Sequence, residues 1–284
     1  MAIRDLLSRY TPKSIKRVIR RRRENNEIKR LYSLEKEDCD IRNLIKIDKN
    51  SLSDIFNSME ANQVWESVHS KIQRFNLPDG TGGVNHGDRR AIFYLVHYFN
   101  PENVLEIGTH IGASTVHISS ALYHSRISKE NKAKLITVDV RDVNSGLEKP
   151  WKQYGATYSP EAMIRNLGHD RFVEFKAERS LKYMENTDDK FDFIFLDGSH
   201  DASNVYREIP GALKLLNQDG VILLHDYFPD NKPLWNQGNL ESGVYLAVEK
   251  FIEEGVQFKV LPVGKLPWET KLGSKITSLA LMSG

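Results

Sequence analysis

From Asn103 onward the chain alternates between short apolar runs and longer stretches whose apolar residues recur at helical spacing. The runs Asn103–Ile107, Lys134–Val138, Phe172–Phe175, Phe191–Leu196 and Val221–His225 have strand length and predict buried strands. Helical spacing appears before and between them, at about 88–99, 113–124, 160–167, 179–185 and 201–217. Such alternation predicts right-handed βαβ units, hence a mostly parallel sheet covered on both faces. A helix near 241–253 follows, and Gln257–Val263 and Lys275–Met282 predict an antiparallel pair that brings the sheet to seven strands.

Upstream the pattern changes. In residues 1–33, Ile3, Leu6, Leu7 and Tyr10 share a helical face, Thr11-Pro12 marks a cap, and Ile15, Val18 and Ile19 continue the stripe beside Arg20 to Arg23. Residues 34–80 are polar, with helical spacing between Leu52 and Ile72, and end in Gly80-Thr81-Gly82-Gly83, a turn or hinge. The expected organisation is a basic helical arm and extension over 1–80 and an α/β domain over 81–284.

Charge sharpens that division. The net charge is +2, yet eleven Lys/Arg and only three acids lie between Arg4 and Arg30, so the remaining body is acidic. A basic amphipathic arm has three readings, in order of preference. It packs its stripe on the body or on a second subunit of a homo-oligomer, it touches an anionic membrane surface, or it binds nucleic acid. Cys39 is the only cysteine, which rules out an internal disulfide. No apolar run approaches the ~20 residues of a membrane span, and the N-terminus lacks a signal-peptide core. The expectation is a cytoplasmic protein, with the arm allowing peripheral contact at the inner membrane face.

Candidate chemistry gathers at the strand ends. Val104-Leu105-Glu106-Ile107-Gly108-Thr109-His110-Ile111-Gly112-Ala113-Ser114 runs from a strand through a glycine turn into a helix. Glycines let backbone approach a ligand, and helix-start amides favour carboxylate or phosphate. The spacing G-x-x-x-G departs from the dinucleotide fingerprint G-x-G-x-x-G, which argues against NAD. Asp139 ends the next strand, where an acid can accept both hydroxyls of a ribose; with the glycine loop it points to a ligand containing adenosine. Asp197 and His200 end the fourth strand, and His225 and Asp226 the fifth. If those strands are neighbours, the four side chains converge at the ligand-binding edge, either as a divalent-cation site or as strand-end caps without metal.

At these residues the chain resembles class I S-adenosylmethionine-dependent methyltransferases, in the small-molecule O-methyltransferase branch of the catechol, macrocin and cephalosporin-cluster families. The resemblance covers about residues 84–284, beginning with Asn85-His86-Gly87-Asp88 ahead of a helix. It implies a Rossmann-like fold with a C-terminal antiparallel hairpin. It further implies a methyl-donor site at Glu106, Gly108, Thr109, Gly112, Ser114, Asp139, Ser180 and Asp197, with Ser180 beside the adenine in Ala177-Glu178-Arg179-Ser180. Magnesium would sit on Asp197, His225 and Asp226, and His200 falls where catechol-type enzymes place a lysine general base. Two positions depart from the pattern: His110 replaces a frequent loop glycine, and His225 replaces a frequent carboxylate.

The expected reaction is methyl transfer to a hydroxyl of a small molecule or glycan, positioned in line with the donor methyl, with Asp197 and His200 as the catalytic pair. Arg141–Tyr158, with Trp151, Tyr154 and Tyr158, and Phe228–Glu241, with Trp235 and Asn236, are candidate acceptor loops. Trp268 is expected to be structural. A nucleic-acid methyltransferase is one rival, disfavoured by charge that lies in the arm and away from the catalytic edge. A non-methylating nucleotide-binding relative of the cephalosporin hydroxylase-like branch is the other.

Overall fold

The structure is a computed structural model that describes residues 24–124, 133–235 and 240–284. Most of the expected arm, residues 125–132 and the loop residue Asn236 lie outside the described residues.

Helices α1 (Lys49–Phe56), α2 (Met59–Gln73) and α3 (His86–Phe99) precede the first strand. From there β1 (Asn103–Ile107), α4 (Ala113–His124), β2 (Lys134–Asp139), the single turn α5 (Pro150–Gln153), α6 (Pro160–Leu167) and β3 (Val173–Ala177) alternate. The alternation continues through α7 (Ser180–Asn186), β4 (Phe191–Leu196), α8 (Ala202–Leu215), β5 (Leu216–Leu224), α9 (Gly243–Glu253), β6 (Lys259–Pro262) and β7 (Ala280–Ser283). Helix starts carry their local reasons. Asn85 caps α3 by accepting from Gly87 and Asp88 N–H, and Ser159 caps α6 with Pro160 in the first turn. Asn100 and Gly168 stop α3 and α6 in left-handed conformations.

The sheet order is β3-β2-β1-β4-β5-β7-β6. The first five strands are parallel, and β7 inserts antiparallel between β5 and β6. Neighbours β1 and β4 form the point at which chain order reverses, where open α/β sheets leave a crevice. Alternation within each strand builds two cores. Val104, Leu135, Phe193 and Leu223 face α2, α3 and α4, whereas Leu105, Ile136, Ile194 and Ile222 face α8 and α9.

The extension upstream of residue 81 is packed into these same cores. Leu52, Ile55, Phe56, Trp65, Val68 and Ile72 join the first, and Leu31 and Leu44 the second. Leu44 bridges in parallel to Gly220, and Gly284 N–H donates to Ile45 carbonyl at 3.1 Å. Each buried aliphatic side chain of this kind contributes ~1.5–3 kcal/mol, so the extension is part of what holds the sheet.

Candidate active site

At the end of β1 the backbone turns at Gly108 with φ +102°. A Cβ there would lie 2.0 Å from the Asp197 carbonyl oxygen, so the loops after β1 and β4 meet through bare backbone. Two residues on, His110 holds φ +50°, the left-handed region in which glycine is favoured. It is secured by its own backbone N–H, which donates to Asp139 Oδ2 at 2.9 Å, and by Nε2, 3.2 Å from the Thr81 carbonyl. Its ring stands edge-on to Tyr154, with centroids 4.3 Å apart. Burial, then the Arg141 cation, lower the His110 pKa, which keeps the ring neutral with Nε2 as donor.

Glu106 is fully buried beneath this loop. Its Oε2 accepts from Thr115 and Thr137 hydroxyls, both at 2.6 Å, and Thr109 hydroxyl donates on to Thr137 at 2.6 Å. Burial pushes the Glu106 carboxyl up to about 7. Glu106, Thr109, Gly112 and Ser114, all expected at the donor, are therefore placed behind the loop and outside the cavity lining; Gly112 abuts Pro160. They shape the loop.

In front of it lies a cavity of about 720 Å³ at the carboxyl edge of β1, β2, β3 and β4. Gly108, Asp139, Ser180, Asp197 and His200, five of the expected residues, line it together. Asp139 Oδ1 accepts from Arg141 N–H at 3.0 Å and from Arg141 Nε at 3.2 Å, so the expected ribose acid is held by the residue two positions on. The wall also contains Arg141, the first residue of the expected acceptor loop Arg141–Tyr158, together with Gly82, Gly83 and Glu208, which the sequence pattern did not assign to the site. A signal for Glu208 was present: an acid on the apolar stripe Val205, Ile209, Ala212 of α8. Gly82 and Gly83 read only as a turn because their partner, the β1 loop, is remote in sequence.

The acids and histidines after β4 and β5 do converge. His225 is buried, and its Nδ1–H donates to Asp197 Oδ1 at 2.7 Å. Its Nε2 faces Oδ2 of the fully buried Asp88 at 3.5 Å. Asp226 Oδ1 lies 3.7 Å from His225 Nδ1 and accepts from Ser278 hydroxyl at 3.0 Å, while Asp226 Oδ2 lies 3.5 Å from His200 Nδ1. Burial depresses the His225 pKa, but Asp197 and Asp226 outweigh it and hold the ring well above its ordinary value. An imidazolium with both nitrogens turned to carboxylates has no lone pair for a metal, and it supplies the positive charge the acids need. The residues Asp197, His225 and Asp226 thus do not fit the magnesium site expected of them. Among the described residues no group of three or more His, Cys, Asp or Glu is arranged to hold a metal ion.

The aromatic loops contribute less to the cavity than expected. Trp151 is buried against Ile111 and Ala113, Tyr158 packs edge-on to Phe75, and none of Trp151, Tyr154 and Tyr158 lines the cavity. Trp235 packs on Phe228 and donates to the Ile276 carbonyl at 3.2 Å. Trp268 donates to the Gly87 carbonyl at 2.9 Å, a structural role. The arm, in contrast, is not remote from the site. Helical residues 24–32 dock with Glu27 Oε1 accepting from Ala202 N–H at 2.6 Å, at the start of α8 two residues past His200. Glu24 meets Asn231 after β5.

Comparison with known proteins agrees with this geometry. Residues 105–227 match the methyltransferase domain family. O-methyltransferase hkm8 of Aspergillus hancockii is 28% identical over 127 residues, 44% of this chain and 43% of that protein, so the chain spans less than half its length. A probable caffeoyl-CoA O-methyltransferase 3 of Dictyostelium discoideum is 22% identical over 199 residues, 69% of each chain. The O-methyltransferase TomG of Streptomyces achromogenes, solved with S-adenosylmethionine, shares the fold with a TM-score of 0.50 at 20% identity, covering 84% of this chain and 91% of its own. Residues 105–227 are thus similar to that methyltransferase domain family, and the seven-stranded Rossmann-like sheet that carries them is the fold shared with TomG.

Proposed function

We propose that this chain transfers the methyl group of S-adenosylmethionine to a hydroxyl of a small molecule or glycan, with His200 as proton acceptor. The observation that carries the reading is the meeting of Gly108, Asp139, Ser180, Asp197 and His200 on one cavity at the reversal point of the sheet. Asp139 offers the ribose its carboxylate, and Gly108 lets the donor's amino-acid end approach backbone.

The acceptor oxygen attacks the methyl carbon, and the sulfur–carbon bond breaks with its electrons going to sulfur. The hydroxyl proton passes to His200. Asp226 faces His200 Nδ1, which leaves Nε2 as the basic nitrogen and stabilises the ring once it is charged. Asp197 is fixed by His225 and anchors the loop that presents His200. Under this reading, titration with S-adenosylhomocysteine shows micromolar binding, and His200→Ala keeps that affinity while turnover falls roughly 100-fold or more. No binding by the wild type would overturn the donor site; loss of binding in His200→Ala would make the histidine structural.

The arm supports a further element of the reading, an acceptor met at an anionic lipid surface. Nine Lys/Arg and one acid precede Glu24, and Glu24 and Glu27 fasten that segment's root at the catalytic edge. Full-length protein is expected to sediment with phosphatidylglycerol vesicles in a salt-sensitive way, and not with phosphatidylcholine vesicles.

A further inference from the structure

Apolar side chains left in water stand at one edge of the sheet. Among the described residues the two most exposed large apolar side chains are Leu272, 100% exposed, and Leu147, 97% exposed. Leu147 lies in the segment that follows β2, where Asn144 accepts from Glu161 N–H in the first turn of α6. Leu272 tips the loop between β6 and β7, in a turn closed by Ser274 N–H donating to the Lys271 carbonyl at 2.8 Å. Because β7 runs antiparallel to β5, with Ala280 beside Leu224, that loop sits at the same carboxyl edge as Leu147. Four strand spacings, about 19 Å, separate β2 from β7, so the two leucines stand on either side of the reversal point between β1 and β4.

Their surroundings are cationic although the body is acidic. Residues 263–279 carry Lys265, Lys271 and Lys275 against Glu269 alone, and Lys149 and Lys152 follow Leu147 and Glu148. Lys271 Nζ lies 3.4 Å from the centre of the Trp235 ring, and Lys275 Nζ donates to the Pro267 carbonyl at 2.8 Å. Glu27 roots the nine Lys/Arg that precede Glu24 at this same edge. Protruding leucines among lysines suit a partner that is anionic at its surface and apolar beneath it.

We propose that the carboxyl edge of the sheet is a docking face for an anionic lipid bilayer, with Leu147 and Leu272 entering the acyl boundary and Lys271 and Lys275 among the headgroups. The inference deepens the lipid-surface reading of the arm and rests on it. The arm supplies attraction that salt screens, whereas the leucines supply an apolar contact that salt does not weaken. Docked in this way, the edge that bears His200 faces the headgroups, which suits an acceptor that is itself an amphiphile with its hydroxyl at that depth.

The test is binding of the full chain to vesicles of phosphatidylglycerol and phosphatidylcholine in equal parts. Leu147→Ser and Leu272→Ser should each weaken binding roughly tenfold, with the double variant weaker than either. Ile252→Ser is the control. Ile252 is 48% exposed near the end of α9, whose first residue, Gly243, abuts the His200 carbonyl, so Ile252 lies away from the docking edge and its replacement should leave binding unchanged. Melting temperature and S-adenosylhomocysteine affinity should be the same in the leucine variants as in the wild type. A double variant that binds vesicles as tightly as the wild type overturns the proposal and leaves the reading of the arm standing. A wild type that binds no vesicles overturns both. A dimer that the double variant dissociates, with vesicle binding unchanged, assigns the leucines to a second copy of the chain and also overturns the proposal.

Discussion

Gly108 presents its bare Cα to the carbonyl of Asp197, so closely that a Cβ would sit 2.0 Å from that oxygen. The contact joins the two loops flanking the sheet's reversal point and sets the mouth of the cavity between them. Because the clash is with backbone, no side-chain rotation relieves it. Gly108→Ala should cost at least about 3 kcal/mol and remove measurable S-adenosylhomocysteine binding. Gly255→Ala is the control: φ is +86° there too, but nothing lies within 4 Å of the added carbon. That variant should lose only about 1–2 kcal/mol by urea unfolding and bind normally. Equal losses in the two would show that backbone conformation alone, and not the Asp197 contact, fixes Gly108.

What the sequence revealed and what it hid divide along locality. The first five strands and the glycine loop are written in contiguous residues, and β1, β2 and β4 fall within a residue of their expected bounds. The insertion of β7 between β5 and β6 is a matter of which edges meet, and two short apolar runs do not encode it. Residues 43–47 read as polar because Leu44, Ile45 and Ile47 are scattered among charges, yet they hydrogen-bond to Gly220 and Gly284. The site follows the same rule. Asp139 and Asp197 end strands and are visible, whereas Asp88 meets His225 only once the chain between these distant positions has folded.

His225 bears directly on metal dependence. With Nδ1 on Asp197 and Nε2 toward Asp88, it fills the role a divalent ion would have among these acids. Activity and donor affinity should therefore be unchanged in excess chelator, and magnesium should not raise the melting temperature. His225→Ala would leave Asp88, Asp197 and Asp226 facing one another, at a cost of roughly 3–5 kcal/mol. Chelator-sensitive turnover, restored by magnesium, would show that the cluster opens to take an ion.

Arg141 competes with the donor for Asp139. Its Nε and backbone N–H both reach Oδ1, and its guanidinium is 41% exposed, over the Tyr154 ring. A ribose diol that takes this carboxylate must displace the side-chain contact and can leave the backbone one in place. Arg141→Ala should then tighten S-adenosylhomocysteine binding about two- to fivefold, the worth of a half-exposed ion pair. Weaker binding would instead mean that the guanidinium itself holds the donor.

Glu106 offers a test of the loop's foundation through pH. Its carboxyl is fully buried, takes two threonine hydroxyls on Oε2 and has no partner on Oε1, and burial raises it from 4.5 to about 7. Between those two values the folded protein keeps a proton that the unfolded chain has released. The contribution is whole below pH 4.5 and is lost as pH rises through 7, a penalty on the order of 3 kcal/mol on the alkaline side. Glu106→Gln keeps an acceptor for Thr115 and Thr137 and cannot ionise. The variant should therefore match the wild type near pH 4, below both values, and exceed it in urea midpoint at pH 8.5. Glu208, which burial also raises to about 7, is present in both proteins and cancels in the difference. Parallel stability curves from pH 5 to 9 would mean that Glu106 ionises freely in the folded state and that the hydroxyl chain from Thr109 carries the loop without it.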